Sequence, residues 1–100
     1  MSLPLTVLAV AEGDIERAVA WYDAQRPKLG DAFLLDLGDV LEHVRQYPEM
    51  YQLIAGRVRR AVLHGFPYSV IYRILPDAIQ VVGVLHSQLD PARTAARSQA

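Results

Sequence analysis

The residues best suited to chemistry lie late in the chain. Arg57, Arg59, Arg60, Arg73, Arg93 and Arg97 face only two acids there, Asp77 and Asp90. Residues 1–56 carry nine acids against four bases, so the net charge of −1 hides an acidic half and a basic half. That polarity lets one face attract a polyanion or an acidic partner. The competing reading is that the arginines only solubilise a sheet surface. His86 ends an apolar run, and an imidazole there can donate or accept a proton near neutral pH. His43, His64 and His86 have no metal-ligand spacing, and the chain has no cysteine, so a zinc centre is not expected. Arg59 and Arg60 are adjacent and must point to opposite faces of a strand, leaving Arg57 on the face of Arg59. At most one of the adjacent pair can serve a given site. Arg73 is as well suited to a salt bridge as to a site.

Other chemistries are excluded by what the chain lacks. Without cysteine there is no disulfide framework and no thiolate nucleophile. Glu12, Asp14, Asp36 and Asp39 form no convincing carboxylate pair, and no glycine-rich phosphate loop or nucleophile elbow is present. Composition, with 52% apolar and 21% charged residues, is that of a soluble globular chain. The apolar start, Leu3 to Ala11, has no basic residue before it and meets Glu12 and Asp14 at once. A secretory leader is therefore not expected, nor is a membrane span. A cytoplasmic location fits these features, and no cofactor is implied.

The elements that must position the basic residues follow from periodicity. Leu5 to Val10 reads as a strand and Ala11 to Asp14 as a break. Ile15 to Arg26 reads as a helix with Ile15, Ala18, Val19 and Tyr22 on one stripe, ended by Pro27. Trp21 and Tyr22 suit packing of that helix on a sheet better than stacking on a ligand. A second helix opens at Gly30-Asp31 and carries Phe33, Leu34, Leu37, Val40, Leu41 and Val44 to Tyr47-Pro48. Joined by about five residues, the two make an antiparallel hairpin. Arg57 to Leu63, Tyr68 to Leu75 and Ala78 to His86 are strand-like and form a three-stranded antiparallel meander. The fold class is α+β, a strand, a helical hairpin and a meander, with the helices on one face of the sheet. Residues 1–90 make one domain and 91–100 a tail, either a short helix or frayed. In the last strand both faces carry aliphatic groups, Ile79, Val81 and Leu85 on one and Val82 and Val84 on the other. The second sheet face is then expected to meet a partner, a second copy or the tail itself.

The stretch Ala18 to Phe33, with its aromatic pair Trp21-Tyr22 and its Pro27-Lys28-Leu29-Gly30 turn, resembles the helical hairpin of the RelE/ParE toxins of bacterial type II toxin–antitoxin pairs. Val58 to Leu63, Phe66 to Ile74 and Val81 to His86 resemble the meander of the same family in order and spacing. The likeness covers about residues 5–90. It implies a toxin, often carried in plasmid-stabilising gene pairs, that a cognate antitoxin wraps and neutralises. An acidic, folding-on-binding antitoxin segment would suit the basic half.

Two activities are implied by that family. RelE-like members cut mRNA on the ribosome, and ParE-like members act on DNA gyrase. Metal-free RNA cleavage needs a base for the 2′-hydroxyl, an acid for the leaving oxygen and cations around the phosphorane. Arg60, Arg73 and His86 are the candidate catalytic residues for it. Val62 and Ser69 stand where further bases would be expected, and His86 to Asp90 replaces an arginine-rich stretch. The poor match favours a ParE-like binder over an enzyme. Arg57, Arg59, Arg60, Arg73 and His86 are then candidates for binding the target or the antitoxin. A non-toxic homodimer is the third reading.

Overall fold

The computed structural model describes residues 3–88 and 91–98. The expected domain boundary at residue 90 and the expectations for Leu89 and Asp90 lie outside the described residues. The chain order is β1 (Leu5–Val7), α1 (Ala9–Gln25), α2 (Leu29–Gln46), β2 (Gln52–Ala55), β3 (Val58–Val62), β4 (Tyr68–Ile74), β5 (Ile79–His86) and α3 (Pro91–Ser98). The sheet has five strands in the order β1-β5-β4-β3-β2. β1 runs parallel to β5, and the other neighbours are antiparallel. The α+β class and the meander match the expectation, with one more strand than expected. β2 was missed because it is a short edge strand whose Gln52 and Leu53 are exposed, so it carries no alternating pattern.

The first strand is also shorter than its apolar run suggests. Ala9 and Val10 already belong to α1, and Ala11 to Asp14 continues the helix instead of breaking it. Alanines at 9 and 11 are strong helix formers and carry Gly13 through. Fully buried Ala11 and Ala18 let α1 lie close on the sheet, with Tyr22 completing the stripe. α2 presents Phe33, Leu37, Val40 and Val44 to the same core, at the helical spacing expected of them. Three residues, Arg26 to Lys28, connect the helices, with Lys28 in the left-handed region at φ 69°. Asp23 accepts a 2.7 Å hydrogen bond from the Gly30 N–H, so the end of α1 caps the start of α2. A Cβ at residue 30 would stand 2.7 Å from that carboxylate oxygen, which is why glycine suits the position.

The two sheet faces are closed differently. Under the hairpin, Val70, Tyr72, Ile79, Val81 and Val84 join the helices in one core. Its centre is aromatic: Tyr22 stacks on Phe33 at 5.6 Å, and Phe66 and Tyr68 meet both edge-on. On the outer face Val58, Ile71, Val82 and Leu85 form a smaller cluster. α3 packs over β5 and β4 on this side. A bulge at Ile71/Tyr72 shifts the β4–β5 register, so the aliphatic alternation expected along β5 changes phase. Val84 faces the helices and Leu85 the outside, the reverse of the simple alternation.

Candidate functional site

Asp14 organises the region where α1, β5 and α3 meet. β1 covers only Ile79 to Val81 of β5, so the rest of that strand edge lacks a neighbouring strand. Asp14 accepts the Val84 N–H at 3.0 Å from that open side. Arg97 of α3 reaches the same carboxylate through two N–H groups, one at 3.0 Å, and also donates to the Val82 carbonyl at 3.4 Å. Arg17 adds a third contact at 2.8 Å. Two side chains thus satisfy the backbone groups that a further strand would have paired. A Cβ at residue 83 would stand 3.0 Å from the Arg97 guanidinium, so Gly83 lets the arginine lie against the strand.

Burial alone would push the Asp14 carboxyl up. Hydrogen bonds from Arg97 and Val84, the Arg97 charge and the Arg17 contact outweigh it and hold the carboxyl below its ordinary value. The same bonds push Arg97 up. In the sequence Asp14 stands only at the end of an expected break, whereas it lies within α1. No local spacing points to a partner 83 residues away.

Two depressions flank this junction. The first, about 580 Å³, lies between α1, the β3–β4 turn, the end of β5 and α3. Tyr22, Tyr68 and Leu85 give it an apolar floor, and Arg17, Arg93 and His86 stand along its walls. Trp21 lines it while 58% exposed, so it does not pack against the sheet as the sequence suggested. Burial raises the Tyr22 and Tyr68 phenols above their ordinary values, helped by Tyr68 for the first and by the Asp14 charge for the second. Neither is a proton acceptor at neutral pH. The second depression, about 310 Å³, is a groove on the outer face between β2–β5 and α3, with Arg60, Ser69, His86, Ser87 and Thr94 among its lining.

The sequence candidates do not gather in one place. Arg60 and His86 both line the outer groove. Arg60 reaches Gln52 at 3.5 Å, and His86 accepts the Gln88 N–H on Nδ1 at 3.2 Å while its ring meets Tyr68 at 5.3 Å. Arg59 turns to the helix side and donates to the Glu49 and Tyr51 carbonyls at 3.1 and 2.7 Å. Arg73 sits across the sheet from Val58 and donates from Nε to Gln80 at 3.0 Å, at the far end of the outer face. Arg57 is exposed in the β2–β3 turn. The expected cationic platform is therefore dispersed, and α3 covers part of it. Arg17, Arg93, Arg97 and Asp14 were not among the candidates. Only the late arginine excess hinted at two of them.

Comparison with known proteins bears on what this arrangement does. The family profile described as "ParE toxin of type II toxin-antitoxin system, parDE" matches residues 6–91. No curated protein matches the chain in sequence. A solved structure titled "Chromosomal ParDE TA system from P. aeruginosa" superposes with a TM-score of 0.78 at 17% identity, covering 86% of this chain and 97% of the other. At that identity the likeness is one of fold.

Proposed function

Because the chain belongs to the ParE toxin family of type II toxin–antitoxin systems, we propose that it arrests growth by binding a macromolecular target, DNA gyrase in the first instance, and that a cognate antitoxin holds it silent. The observation that supports binding over cleavage is the outer groove. Among its described lining residues only Arg60 and His86 are ionisable. Metal-free RNA cleavage needs a base, an acid and cations around one phosphate. Arg73 and Arg59, the other candidates, are at the far end and on the opposite face. Arg57, Arg59, Arg60, Arg73 and His86 remain proposed contacts for the target or the antitoxin.

Induced expression tests this directly. Growth should stop, plasmid DNA should lose supercoiling, transcripts should stay intact, and co-production of the neighbouring gene's protein should restore growth. Arg60→Ala and His86→Ala should weaken either the arrest or its relief by that protein, and no change in both variants would remove these two residues from the proposed contacts. The second reading, a ribosome-dependent mRNA endonuclease, draws on the shared position of Arg60 and His86 in one groove. It requires cuts within ribosome-bound codons and a loss of roughly 10²–10⁴-fold in cleavage when His86, its acid–base group, or Arg60, its phosphate-stabilising cation, is removed. A chain that never arrests growth and simply dimerises would contradict both.

A further inference from the structure

The two edges of the sheet are finished differently. At one, β1 is three residues long, and Asp14 and Arg97 occupy backbone groups of β5 beyond it. At the other, β2 pairs with β3 and, among the described residues, has no strand on its far side. Its sequence, Gln52-Leu53-Ile54-Ala55, carries neither a charge nor a proline, two of the usual devices that keep an edge from pairing. Leu53 is 52% exposed there, and Tyr47 and Met50, in the segment leading into the strand, are exposed as well. That segment is held in place. Arg59, opposite Leu53 in the β2–β3 ladder, donates to the Glu49 and Tyr51 carbonyls, and Tyr51 is hydrogen-bonded to His43 of α2. An edge that is already ordered loses little conformational freedom on pairing.

We propose that the β2 edge pairs antiparallel with the β2 edge of a second copy of this chain, about a two-fold axis at Leu53. Charge complementarity selects this occupant and this register. Glu49 and Arg57 stand four residues to either side of Leu53. Both are exposed, and among the described residues neither side chain has an ion-pair partner. The axis brings Glu49 of each copy beside Arg57 of the other, so one register forms two ion pairs and sets Leu53 against its own counterpart. Such a contact is isologous and closes at two copies. A ladder of four residues is small beside the roughly 1,600 Å² of a standard interface, so the dimer is reversible and concentration-dependent. The Asp14 junction and the cleft beside α1 lie at the opposite side of the sheet and stay free in it.

Sedimentation of the full chain from about 1 μM to about 1 mM tests this. The 11.1 kDa chain should move toward twice its mass as concentration rises. Leu53→Lys, at an exposed position, should weaken the association at least tenfold. Glu49→Arg and Arg57→Glu should each do the same alone, because like charges then meet at both ends. An equimolar mixture of those two variants should associate at least as well as the parent, since unlike charges meet again. Amides of residues 52–55 should gain protection from hydrogen exchange at high concentration in the parent and in the mixture, but not in Leu53→Lys. A monomer across the whole range would overturn the proposal. So would a dimer indifferent to Leu53→Lys, or a mixture no better than either variant alone, because the interface would then lie elsewhere. A monomeric parent whose growth arrest the neighbouring gene's protein relieves, with that relief lost in Leu53→Lys, would assign the edge to that protein and overturn the pairing of copies.

Discussion

The inner and outer faces of the sheet are closed by unlike means. Two long helices cover the inner face and interlock through a continuous aromatic and aliphatic core. An eight-residue helix covers the outer face and is tied down by the Asp14–Arg97 pair beside a cluster that, among the described residues, has four buried aliphatic side chains. Area holds the first face, and a polar contact at a strand edge holds much of the second. The first closure is expected to be cooperative with global folding, and the second to open locally at lower cost.

Breaking the inner face should have the largest effect. Phe33→Ala should cost about 3–5 kcal/mol, because it empties the centre of the aromatic stack. Chemical denaturation measures it, and a loss under 1 kcal/mol would show that the core can collapse around the gap.

Asp14→Ala comes next. It strands the Arg97 guanidinium and the Val84 N–H together, and truncating one partner of a buried pair costs about 3–5 kcal/mol. The Arg17 contact adds little to this cost, since its guanidinium is exposed. The same residue sets an acid limit. Its carboxyl titrates below its ordinary value in the folded chain, so its stabilisation is complete above about pH 4 and is lost as pH falls further. Asp14→Asn should flatten the acid limb of a stability-versus-pH curve. An unchanged limb would assign acid sensitivity to other carboxylates.

A smaller effect is expected at the helix connection. Asp23→Ala removes the hydrogen bond to the Gly30 N–H and should cost about 1 kcal/mol in thermal or chemical unfolding. A neutral result would mean that the left-handed turn at Lys28 fixes the start of α2 without the cap.

The difference between the faces also explains what could be read from the sequence. Phe33, Leu37, Val40 and Val44 advertise a helix stripe, and the Val, Ile and Tyr runs from Val58 onward advertise the meander, because burial against one face imposes a period. Asp14, Arg97 and Gly83 have no such trace. They meet through chain ends 83 residues apart, and each alone looks like a helix-end charge, a tail arginine or a strand irregularity. Trp21 misled for a related reason. It neighbours core Tyr22 in sequence, yet the helical turn carries it to the rim of the cleft. The candidate site was legible only as an excess of late arginines. Which of them converge depended on the β4–β5 bulge and on where α3 comes to rest.

Hydrogen exchange on the Arg97→Ala variant tests the central claim, that a single side-chain pair fastens the outer closure. Amides of residues 93–97 should exchange much faster than in the parent, while those of Val70, Tyr72 and Val81 keep their protection. Unchanged exchange across α3, or equal loss of protection on both faces, would contradict the account.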